Sequence, residues 1–209
     1  MSIIEFVKRA MVLAIFAGAA MTQPAGAAQL VDFTNVAFAQ VTGETSRPIG
    51  HVEFCKRFPG ECGANAVVIE DVTLTAGKWQ QLLDINSFFN TTIVPETDQQ
   101  LYHVTEYWTY PHGFGDCEDI ALAKRKALIA KGWPVSALLL TVAKESDGEG
   151  HAVLMVRTDR GDLILDNQDS TIRDWHDSPY HLLKRQSQAN AGVWVGIDDM
   201  RQAVIVAKN

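Results

Sequence analysis

The spacing of apolar residues changes once along this chain, at Gly132–Trp133–Pro134, and that change limits the folds open to it. Before it, apolar side chains recur at helical intervals. In Ala76–Phe89, the residues Trp79, Leu82, Leu83, Ile85, Phe88 and Phe89 make one stripe, read as core packing. Cys117–Lys131 is a second helix, with Asp116 at its N-cap, Asp119 at N3, and Gly132 and Pro134 as its stop. Beyond that stop the runs are short and rich in Val, Leu and Ile. Val135–Ala143, His151–Arg157 and Leu163–Asp166 are strands, separated by turns at Ser146–Gly150 and Asp159–Asp162, loop lengths that suit antiparallel hairpins. Val193–Ile197 and Ala203–Ala207 add one or two more, and Val67–Thr73 is a short extended segment. Helices first and an antiparallel sheet second predict an α+β fold, with helices packed on the sheet.

The first 27 or 28 residues stand outside that fold. Lys8 and Arg9 precede an apolar run, Ala10–Ala20, and a small-residue stretch, Ala25-Gly26-Ala27-Ala28, follows. This is the layout of a secretory leader, cut after Ala27 or Ala28. The run is short of the roughly 20 residues needed to cross a bilayer, so no span is expected once the leader is gone. The expected division is 1–27 as leader, 28–65 as an N-terminal arm and 66–209 as one domain, with the periplasm as its compartment. The net charge of −7 and the scarcity of basic tracts make nucleic acid a poor partner. Lys124-Arg125-Lys126 is the one dense basic run, and it reads as the solvated face of a helix.

Export gives the three cysteines meaning. Cys55 and Cys62 flank a turn-prone segment and suit a local disulfide in an oxidising compartment. Cys117 is left over. Such a thiol is buried and inert, bonded to another chain, or chemically useful. Its place favours use: it opens a helix after the loop Pro111–Gly115, and helix N-termini favour thiolates. His151 opens one strand and Asp166 closes the next, so in a meander the two become neighbours across the pair. A thiol, an imidazole and an orienting carboxylate are the parts of a cysteine nucleophile, with helix N–H groups available to an oxyanion.

Gly115-Asp116-Cys117-Glu118-Asp119 followed by Ile120-Ala121-Leu122-Ala123-Lys124 resembles the nucleophile motif of bacterial transglutaminase-like cysteine peptidases, a family that includes LapG-type periplasmic proteases. Further matches are Val94-Pro95 to Tyr107-Trp108, Gly150-His151-Ala152-Val153-Leu154 and Leu165-Asp166-Asn167, in the family's order over Ala76–Ile197. The resemblance implies a papain-like, transglutaminase-like core, with Cys117 as nucleophile, His151 as general base and acid, and Asp166 as orienting carboxylate. It also implies calcium, held by Asp116 and Glu118 and in part by Asp119. Independent chemistry agrees, because carboxylates beside Cys117 raise its pKa and a hard cation offsets them. Zinc through Cys117, His112 and His151 is less attractive, since paired-ligand spacing is missing. No organic cofactor is expected.

The leading expectation is an endopeptidase acting on another exported protein in the periplasm or at the outer surface, with a surface adhesin as the substrate class that the resemblance suggests. Amide transfer to an amine uses the same three residues. A calcium-dependent binding module that has lost turnover is the reading from another class. The resemblance also suggests a membrane receptor as regulator. Tyr107, Trp108 and His112 are weaker candidates, as residues lining the cleft.

Overall fold

The computed structural model describes residues 36–68 and 71–201. The leader and Ala203–Ala207 lie outside the described residues, as do two positions of Val67–Thr73. The strands are β1 (Val41–Thr45), β2 (Val94–Pro95), β3 (Phe114–Gly115), β4 (Leu138–Lys144), β5 (Gly150–Thr158), β6 (Gly161–Leu165), β7 (Arg173–Asp174), β8 (His181–Gln186) and β9 (Trp194–Ile197). The helices are α1 (Ile49–Arg57), α2 (Ala76–Thr92), α3 (Asp98–Leu101) and α4 (Cys117–Ala130). Seven strands form one antiparallel sheet in the order β1-β9-β8-β4-β5-β6-β7, and β2 and β3 form a separate parallel pair. The α+β expectation holds.

The sheet is covered on both faces, which is why β4 reads as an unbroken apolar run. Leu138, Leu140, Leu154, Val156, Leu163 and Leu165 point to the face packed by Leu82 and Ile85 of α2 and by Ala121, Leu122 and Leu128 of α4. Leu139, Val153, Met155 and Ile164 point the other way, against Trp175, Tyr180 and Leu182. The α4 stop works as the sequence implies. Gly132 takes φ +85°, its N–H bonds to Ile129 O at 2.9 Å, and the Trp133 N–H bonds to Leu128 O at 3.1 Å. That is a Schellman closure, with Trp133 and Leu128 both in the core.

Several expectations change. The segment expected as an arm joins the fold from Ala37 onwards, where Ala37 and Ala39 bond to Asp162 of β6. Strand β1 pairs with β9 at the sheet edge, and α1 buries His51 and Phe54. The Cys55–Cys62 bridge is present, joining α1 to the turn that follows it. Val135–Ala137 is a 3₁₀ turn after Pro134, so the strand begins at Leu138. Val72 makes a single bridge with Thr158. Phe88 is 57% exposed, because α2 rotates it off the sheet while Leu82 and Ile85 take the core. The basic run is not a solvated face: Lys124 and Arg125 are buried, and only Lys126 is exposed, over the Tyr110 ring at 3.9 Å. Their long stems cross the helix–sheet interface, and Arg125 Nε ends on Leu138 O at 3.1 Å with its NH1 on Glu61 at 3.2 Å.

Candidate active site

The loop before Cys117 is held by the small parallel pair. The Val94 N–H bonds to Gly113 O at 2.9 Å and the Glu96 N–H to Gly115 O at 3.1 Å. Gly115 cannot carry a side chain here: a Cβ would lie 2.9 Å from Asp119 Cβ and 3.1 Å from Pro111 Cβ. The chain then enters α4 with Cys117 in its first turn. Asp116 occupies the N-cap position but its side chain makes no capping bond, contrary to expectation. Its carboxylate is turned instead towards other acids.

Among the described residues, Asp98, Asp116 and Glu118 each place a carboxylate oxygen within 4.8 Å of the others. Asp98 enters from α3, whose start is fixed by a capping box between Thr97 and Gln100. Its Oδ2 accepts the Tyr107 N–H, while its Oδ1 and the Oδ1 of Asp116 are buried without partners. Asp119, expected in this group, lies beside it. Its Oδ1 accepts the Thr109 N–H at 2.7 Å and its Oδ2 is buried and unpartnered. Burial alone raises Asp98, against the Tyr107 N–H and the Arg57 charge; burial reinforced by neighbouring carboxylates lifts Asp116 to about 6, Glu118 to about 9 and Asp119 to about 8. The Cys117 thiol is pushed well above its ordinary value by burial and then by Glu118, to whose Oε2 Sγ donates at 3.0 Å. The backbone N–H of Ala152 acts in the opposite sense on the same sulfur. The thiol therefore sits beside the residue that follows His151.

On the sheet, His151 and Asp166 meet, but not as direct cross-strand partners. The β5–β6 ladder ends at Leu154↔Leu165, so its register places Asp166 opposite Val153. The contact is diagonal, on the face shared with Val153 and Ile164. His151 Nε2 lies 2.8 Å from Asp166 Oδ1, with both residues buried. The Gln168 N–H also donates to Oδ1 at 3.1 Å, and the Tyr180 hydroxyl donates to Oδ2 at 2.5 Å. Burial works upwards on the Asp166 pKa, yet the hydrogen bonds from His151 and Tyr180 hold it below its ordinary value. The Tyr180 ring lies against His151, centroids 4.7 Å apart. The other imidazole nitrogen, Nδ1, is not engaged by Asp166 and lies 3.7 Å from Glu145 Oε1.

The weaker candidates separate. Trp108 is core: it is buried against His51 and Trp194, and its Nε1 donates to Glu106 at 3.0 Å. Tyr107 serves Asp98 through its backbone, and its ring lies under the Arg57 guanidinium at 3.9 Å. His112 is exposed on the loop. The sequence does not single out Asp98 or Tyr180, and it presents Lys124 only as part of a basic run and of the motif around Cys117. Thr97-x-x-Gln100 announces a helix start with Asp98 inside it, but nothing local links that start to Asp116 or Tyr180 to Asp166.

A model of the bacterial transglutaminase-like cysteine proteinases (BTLCP) matches residues 41–202. Among solved structures, calcium-bound LapG of Legionella pneumophila is 32% identical, over 56% of this chain and 68% of that one, with a TM-score of 0.49. The EGTA-treated form is 30% identical over 58% and 72%, with a TM-score of 0.48. Comparison with curated proteins finds no match.

Proposed function

This chain belongs to the bacterial transglutaminase-like cysteine proteinases, and we propose that it is an endopeptidase in which Cys117 attacks a peptide carbonyl with His151 and Asp166 as its partners. The observation that carries the reading is the buried His151–Asp166 pair, 2.8 Å apart, set one residue from the backbone N–H that meets the Cys117 sulfur. With Nε2 engaged by Asp166, Nδ1 is the nitrogen free to take the thiol proton. The carbon–sulfur bond forms while first-turn N–H groups of α4 face the developing oxyanion. The carbon–nitrogen bond then breaks, and the departing amine takes the proton from His151. Water, deprotonated by the same imidazole, attacks the thioester carbon; the carbon–oxygen bond forms, the carbon–sulfur bond breaks to release the acid, and the imidazolium returns its proton to sulfur. Asp166 holds the ring in one tautomer and stabilises its charged form.

The acids at the start of α4 fit a hard divalent cation, because buried carboxylate oxygens without donors are the ligands such ions take. Asp98, Asp116 and Glu118 would hold it, with Asp119 bracing the loop from behind. The family resemblance makes that ion calcium. Bound there, it would supply positive charge against the carboxylates that keep Cys117 protonated. The substrate in this reading is an exported protein, and a surface adhesin is the class the resemblance favours. The leader in 1–27 supports a periplasmic enzyme. Comparing protein termini in the exported fraction of cells carrying the wild type or Cys117→Ala tests the whole reading: termini unique to the wild type are expected, and identical sets would overturn it.

A further inference from the structure

Lys124 is an expensive residue in its position. Its side chain is fully buried, 0% exposed, and burial brings its pKa down from 10.5 to about 7. A methionine would fill similar space at lower desolvation cost, so packing alone does not account for an amine here. The amine's protons are used. Nζ donates to Asn86 Oδ1 at 2.7 Å and to the backbone oxygen of Asp166 at 2.9 Å. That same oxygen accepts from Asn90 Nδ2 at 2.8 Å, and Asn86 Nδ2 donates onward to Ser170 O at 3.1 Å.

Asp166 is the first residue beyond β6, where the ladder has ended. Its carboxylate is held by His151, Gln168 and Tyr180, all on the sheet side or its loops. None of these ties it to α4. Lys124 does, and it lies seven residues after Cys117, on the same face of the same helix. We propose that Lys124 is a positioning residue that pins the backbone of Asp166 to the helix carrying Cys117, and so fixes the separation between the imidazole and the thiol. The inference rests on the catalytic reading of Cys117, His151 and Asp166.

The test uses the mature protein in calcium, with iodoacetamide as the probe of Cys117 and the His151 ring resonances as the probe of its partner. Lys124→Met should keep or raise the melting temperature, slow alkylation about 10- to 100-fold and move the His151 resonances towards those of Asp166→Asn. A folded Lys124→Met with wild-type alkylation and unmoved resonances overturns the inference. If that variant does not fold, Lys124→Gln decides, since its amide keeps a donor but ends one bond short of the Nζ position that reaches Asp166 O. It should slow alkylation and shift the same resonances in the same direction, and wild-type behaviour would overturn the proposal. The two levels separate cleanly: if Asp166→Asn also leaves alkylation unchanged, the catalytic reading fails, whereas a wild-type Lys124→Met beside an impaired Asp166→Asn removes only the role of Lys124.

Discussion

The two halves of the site are finished to different degrees. On the sheet, both oxygens of Asp166 have donors, and its pKa is held down by them. At the start of α4, Asp98, Asp116 and Asp119 each keep a buried oxygen without a donor, and their pKa values are driven up by burial. The first half is organised by the chain's own hydrogen bonds. The second gathers buried carboxyl groups beside the thiol, which hold their protons to high pH and leave oxygens for a cation from outside. In the proposed enzyme, the helix start would control reactivity and the sheet would fix geometry.

The most damaging change to the sheet half is Asp166→Asn. Activity should fall about 10³- to 10⁴-fold through loss of the imidazole tautomer, with the fold intact by circular dichroism. Retained turnover would show that His151 is oriented by something else. At the helix start, EGTA should slow alkylation of Cys117, and calcium should restore it. Asp98→Asn should raise the calcium needed for half-restoration by at least about tenfold; an unchanged requirement would remove Asp98 from the ion's ligands.

The two halves also differ in the sign of their pH dependence. Asp166 has a folded pKa below its ordinary 3.8, so the stability it contributes is present above that value and is lost as the pH falls through the lower, folded one. Asp116, Asp119 and Glu118 have folded values of about 6, 8 and 9, against ordinary values of 3.8, 3.8 and 4.5. Between about pH 4 and 9 the folded state then holds more protons than the unfolded one, and stability falls as pH rises. In EGTA the melting temperature should therefore climb as the pH is lowered from 9 to 5, and calcium should flatten that slope. A slope equal with and without calcium would separate the acids from the ion. The smallest effect expected is that of Tyr180→Phe, which removes one hydrogen bond to a carboxylate and should cost about 1.5–3 kcal/mol of stability with a modest fall in turnover. No change in either would make the hydroxyl incidental.

Much of this was legible in the residues. The helix from Cys117, its glycine stop, the hairpin order and the local disulfide all follow from short-range patterns, because caps, turns and strand periods are set by neighbours in the chain. Lys124 and Arg125 were misread for the same reason. A basic triplet looks solvated until the helix is rotated against a sheet, and only then do two of its three side chains find carbonyls and carboxylates inside. Phe88 failed in the opposite direction, an aromatic at helical spacing that the same kind of rotation left in solvent.

The sequence by itself determined where the thiol, the imidazole and the carboxylate stand on their elements, since each lies at an element end marked by local signals. Tertiary structure alone decided which groups surround them. Asp98 joins Asp116 across 18 positions of chain, Tyr180 reaches Asp166 across 14, and Lys124 reaches it across 42. Contacts of that span depend on how helices and strands pack, and a linear pattern of residues does not encode packing angles or the direction a buried side chain takes.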